Sequence, residues 1–99
     1  MLDQLRSEDF APYLNQTFRV QLEGLQSLEL ELVQVAPAGQ LARPGLREPL
    51  SLLFLGPVSS QYLVQHIYRL EHDGLGTLDI FLVPLGPEGG RMRYEAIFN

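Results

Sequence analysis

The chain has two histidines, His66 and His72. Imidazole is the side chain best suited to proton transfer and metal binding near neutral pH. Their surroundings, QHIYRLEH, read as a strand, in which both rings share a face but sit ~20 Å apart at ~3.3 Å per residue. One metal ion cannot bridge that distance. Glu71, Asp73 and Asp79 are the carboxylates within reach of a single histidine, and no H-x-H or H-E-x-x-H spacing exists. His72 directly precedes Asp73–Gly74, so its expected role is to order the following turn, Asp73–Gly76, by hydrogen bonding.

Other routes to catalysis fare no better. A nucleophile needs a base and an orienting group beside it. There is no cysteine, which also removes disulfides, thiolate chemistry and Cys-based zinc sites. Ser51, Ser59 and Ser60 stand in no G-x-S-x-G elbow, and no spacing selects a triad. Paired carboxylates can hydrolyse glycosides, yet Glu29 and Glu31 alternate outward on a strand, as a solvated face does. Glu95 lies near Arg91 and Arg93 and is expected to form cross-strand charge pairs, each worth about 0.2–1 kcal/mol. The glycines at 74, 76, 86, 89 and 90 fall at strand–strand turns, whereas a phosphate cradle needs a strand entering a helix with Gly-Lys-Ser/Thr. The reading is of a chain that is not an enzyme and carries no metal or cofactor.

These residues belong to a small β framework. Ninety-nine residues with 45% apolar side chains suffice for one domain, residues 1–99, with a single core. Residues 7–14 read as a short helix of one or two turns, capped by Ser7 and limited by Pro12. Leu5, Phe10 and Leu14 are its candidates for plugging one end of the β structure. Residues 16–23 alternate, with Phe18, Val20 and Leu22 on one face. Residues 27–35 alternate again, but the phase slips at Leu32–Val33, which predicts a β-bulge or a bend between sheets. Pro37, Gly39 and Pro44–Gly45 break a long loop over 36–48.

Residues 49–56 are nearly all apolar, the mark of a strand covered on both faces, and Gly56–Pro57 is expected to end it. Residues 58–64 cross over, with room for a helical turn capped by Ser59 or Ser60. Strands then follow near 65–72, 77–84 and 91–98, with Asp73–Gly74 and Gly89–Gly90 as hairpin signals. The sum is an all-β domain, a small antiparallel barrel or two-sheet sandwich of about six strands with one short N-terminal helix.

The segments PLSLLFLGP, QHIYRLEHDGLGTLDIFLVPLGP and YEAIFN carry a resemblance. They are similar to an uncharacterised family of small bacterial proteins, a domain of unknown function of about this length. The shared features fall here at Phe18, Phe54 to Pro57, Tyr68 to His72, Leu75–Gly76, Phe81 to Pro84 and Tyr94 to Phe98. The resemblance supports the fold class and transfers no activity. The family's genes resemble those kept near phage-tail-like collar proteins, which implies an assembly or accessory role.

Net charge is −5 and every basic residue is Arg. An acidic surface repels phosphate, so neither nucleic acid nor an anionic membrane is an expected partner. Arg43/Arg47 and Arg91/Arg93 are local basic pairs, too small for a nucleic-acid stripe. No segment reaches the ~20 apolar residues that span a bilayer. The N-terminal MLDQLRSEDF has acids and no apolar run, unlike a secretory signal, and the expected location is cytoplasmic.

The outward apolar residues point to a function. Leu53 and Leu55 lie opposite Leu52 and Phe54, and Phe81 and Val83 lie opposite Ile80 and Leu82. One thin layer cannot hide both sets. The expectation is therefore a protein-interaction or structural module, self-associating or docking on a larger assembly. Its contacts would come from Leu53, Leu55, Phe81 and Val83 with Arg43, Arg47, Arg91 and Arg93, by face burial or by strand addition at an open sheet edge. The alternative is a small-molecule or carbohydrate-binding barrel with Tyr62, His66, Tyr68 and Arg69 at its mouth.

Overall fold

The computed structural model describes residues 7–22, 27–37, 50–58 and 62–98. Among them run six strands: β1 (Thr17–Gln21), β2 (Ser27–Pro37), β3 (Leu50–Val58), β4 (His66–His72), β5 (Gly76–Glu88) and β6 (Arg91–Phe98). Every neighbouring pair is antiparallel, the order around the sheet is β1-β2-β3-β6-β5-β4, and β4 pairs back onto β1. The sheet is thus a closed barrel and not a sandwich. It consists of two meanders, β1–β2–β3 and β4–β5–β6, joined along β3–β6 and along β1–β4.

The second joint is short. Among the described residues Arg19, Val20 and Gln21 pair across it, with Glu71, Leu70 and Arg69. Side chains reinforce it: Arg19 reaches the Asp73 carboxylate at 3.0 Å, and the Gln21 amide donates to Glu71.

Alternation sends one side chain in two to the interior. Phe18, Val20, Leu30, Leu32, Leu52, Phe54, Leu70, Ile80, Leu82 and Ala96 are wholly excluded from solvent. Phe18 meets the edge of Phe54 with ring centroids 5.4 Å apart. A barrel this narrow is filled by its own side chains, each of those larger than alanine worth ~1.5–3 kcal/mol on burial. The N-terminal segment is a helical turn α1 (Ser7–Phe10) that tightens into a 3-10 turn (Ala11–Tyr13) around Pro12. Phe10 is fully buried with the barrel core and acts as the plug. Leu14 is 41% exposed and does not share that role, and Leu5 lies outside the described residues. Asn15, in the left-handed conformation that asparagine tolerates, turns the chain into β1.

Three irregularities shape the sheet. On β2, Leu32 pairs with Phe54 but Gln34 pairs with Leu53, so Val33 is the extra residue of a bulge where the hydrophobic phase slips. On β3, Gly56–Pro57 does not end the strand: pairing with β6 shifts between Leu55 and Val58 and then resumes. Tyr94 packs closely against Gly56; a Cβ there would lie 3.3 Å from the ring. On β5 the register shifts between Pro84 and Gly86, and the strand continues to Glu88 rather than stopping at residue 84. The Gly86–Gly90 stretch is therefore half strand, with only Gly89–Gly90 forming the turn. Residues 62–65 contain no helix, and Ser59 and Ser60 lie outside the described residues, as do Arg43, Arg47 and the loop from 38 to 49.

Candidate functional site

The outward face of β3, β6, β5 and β4 gathers most of the residues singled out for contact. Glu95 on β6 is flanked in register by Leu53 on β3 and Val83 on β5. Leu55 is flanked by Arg93. Phe81 on β5 pairs with Ile67 on β4. Leu53, Leu55 and Val83 are half-buried, while Phe81 is 44% and Ile67 59% exposed. Ile67 was legible as an apolar residue out of phase with Leu70, the same signal that marks Phe81, yet it was not among the predicted contacts.

Arg91 and Arg93 lie on this side but are largely occupied within the barrel. A bulge frees carbonyls from the ladder, and each arginine takes those of a neighbouring strand. Arg91 donates to the Gly56 carbonyl at 2.6 Å and the Leu55 carbonyl at 3.5 Å, and pairs with Glu31 at 3.2 Å. Arg93 donates to the Gly86 carbonyl at 3.5 Å. Glu95 accepts from the Ser51 hydroxyl at 3.3 Å, so its partner is a hydroxyl and not the expected arginine.

The four residues of the mouth reading do not converge. Arg69 points outward and pairs with Asp79 at 3.3 Å. His66 meets the edge of Tyr68, with centroids 5.4 Å apart. The Tyr68 hydroxyl donates to the Val64 carbonyl at 2.7 Å, and the Tyr94 hydroxyl accepts the Leu63 N–H at 2.8 Å. These two phenols tether residues 63–64 across the barrel end. Tyr62, 56% exposed, turns instead to an open groove of about 570 Å³ that it shares with Pro84, Leu85, Pro87 and Met92.

Burial raises the pKa of both Tyr68 and Tyr94 above the ordinary phenol value. At Tyr94 the N–H that Leu63 donates to the phenol oxygen opposes the shift, and the neighbouring phenols Tyr68 and Tyr62 add to it. Below pH ~10 both phenols are neutral, folded or unfolded. Above it the unfolded chain ionises first, so stability is lost as pH rises through the folded values. Tyr94→Phe is expected to flatten that alkaline loss. At pH 7 it is expected to lower stability by about 0.5–1.5 kcal/mol, because the Leu63 N–H loses its acceptor. Urea unfolding at neutral and alkaline pH measures both effects.

His72 does order its turn. Its Nδ1 accepts the N–H of Gly74 at 2.9 Å and of Leu75 at 3.3 Å. Nε2 therefore carries the proton and donates to Gln16 Oε1 at 2.7 Å. The ring lies between Tyr13 and Phe18, with centroids 4.5 and 4.6 Å away. Tyr13 also covers Gly74 so closely that a Cβ there would fall 2.7 Å from its ring. Both ring nitrogens are thus committed to structure. Among the described residues no group of three His, Asp or Glu is placed to hold a metal ion, and no helix is long and apolar enough to cross a membrane.

No curated protein and no solved structure matches the chain. A family model does, over residues 5–98 and so across the whole barrel: the chain belongs to the family described as Domain of unknown function (DUF6916).

Proposed function

We propose that this barrel is a non-enzymatic interaction module that docks on protein, first of all on a second copy of itself, through the outward face of β3, β6, β5 and β4. The observation that carries this reading is the exposed pair Ile67–Phe81, continuous with Leu53 and Val83 around Glu95. The barrel interior is already filled, so these side chains serve no core of their own. Arg93 and Glu95, of opposite sign, stand on the same face of β6. A two-fold-related copy can set each against its opposite. A larger assembly of repeated subunits, the collar-type setting suggested by resemblance, would use the same face. The lack of cysteine is compatible with a cytoplasmic site of action. The carbohydrate-binding alternative is less favoured, because Arg69 diverges from Tyr62, His66 and Tyr68.

Sedimentation velocity over a wide concentration range tests the proposal. The wild-type chain is expected to associate, and Ile67→Glu with Phe81→Glu to remain monomeric with an unchanged thermal melt, since both side chains are exposed. A wild type that stays monomeric at every concentration would sink the self-docking reading.

A further inference from the structure

A second surface, at the open end of the barrel, has the chemistry of a strand-addition site. Barrel closure removes most of the sheet edges that would ordinarily accept a strand, but strands of unequal length leave overhangs, and one of them is on β5. The β4 ladder on β5 ends at His66 opposite Leu82, while β5 runs on to Glu88 and pairs there only with β6. On the side away from β6, the overhang Val83–Glu88 has no backbone partner among the described residues. Tyr62 faces this overhang across the groove, and Pro84, Pro87 and Met92 line it with Tyr62. Its volume of about 570 Å³ is within the range of side-chain and ligand pockets, roughly 300–1,000 Å³.

From these observations we infer that the β5 overhang binds an extended peptide segment of a different protein. The segment adds as a strand beside Val83–Glu88 and sends one apolar or aromatic side chain into the groove against Tyr62 and Met92. The unpaired backbone selects the occupant: the carbonyls and non-proline amides left open along the overhang are matched by another main chain. Prolines at 84 and 87 lack an N–H, so only registers that use the remaining amides are open, which gives the site selectivity. Charge selects further. Glu88, at the end of the overhang, forms no ion pair with a described residue. It favours a basic residue on the incoming strand, and a second copy of a chain with net charge −5 is a poor match.

The test starts from random linear peptides displayed on phage and panned on the full chain, with the enriched sequences then synthesised. A bound peptide is expected to slow amide exchange across residues 83–88. Tyr62→Ala, at an exposed position, is expected to weaken it by about tenfold or more. N-methylation of alternate peptide amides, which keeps every side chain, is expected to abolish binding. The Ile67→Glu, Phe81→Glu variant is expected to bind normally, which separates this site from the self-docking face. The inference is overturned if no peptide is enriched, if N-methylated peptides bind as well as their parents, or if protection falls outside 83–88. It is equally overturned if 83–88 become protected by concentrating the protein alone, which would assign the overhang to a second copy.

Discussion

Phe54→Ala is expected to destabilise the barrel by about 3–5 kcal/mol, a fifth or more of the roughly 5–15 kcal/mol typical of a whole domain. Phe54 is fully buried at the middle of β3, opposite Leu32 on one side and Tyr94 on the other, with Phe18 edge-on. The ring's removal takes away its own transfer free energy. It also leaves a cavity that a closed cylinder cannot collapse to fill, because hydrogen-bonded strands hold the walls apart on every side. Urea unfolding should show the midpoint fall sharply with little change in slope. The adjacent Leu55→Ala, on the outward face, is the control, and its loss is expected to be under about 1.5 kcal/mol. Equal losses at the two positions would mean that the inside–outside assignment of β3 is wrong.

His72→Ala is expected to lose about 2–4 kcal/mol, from a vacated ring site between Tyr13 and Phe18 and from two backbone N–H groups left without their acceptor. The acceptor and the ring can be separated. In His72→Asn the side-chain carbonyl can accept the N–H two residues on, as asparagine does in turns, while the aromatic contacts are lost. It is expected to recover part of the stability and to restore slow amide exchange at Gly74 and Leu75. If His72→Ala melts like the wild type, the histidine is not what holds the β4–β5 turn.

Much of this architecture was legible because short-range pattern and long-range packing agree. The phase slip at Leu32–Val33 appears as the bulge at Val33, and Phe10 was readable as a plug from its place in a short helix. Gly56–Pro57 misled for a physical reason. The dipeptide breaks the ladder as expected, but Arg91, arriving from 35 positions away, takes the freed carbonyls and lets β3 resume. No local rule contains that arginine. The same holds for Glu95, whose partner Ser51 depends on β3 lying beside β6. Closure itself, the pairing of β1 with β4, joins two segments whose alternation would look the same in a sandwich. At the candidate sites, the outward phase of Leu53, Leu55, Phe81 and Val83 was readable strand by strand. That they form one face required the strand order, and the overhang of β5 required knowing where β4 begins.

The three-residue joint between β1 and β4 makes the barrel a hoop with a clasp. Each meander can zip up from sequence neighbours, whereas Arg19 and Asp73 are brought together from 54 positions apart, and such distant contacts form late and slowly. The clasp is therefore expected to be the last part to fasten and the first to slip. When it slips, the hoop becomes an open ribbon whose bared margins invite a neighbour's strand, and a fold that otherwise hides its backbone briefly becomes adhesive.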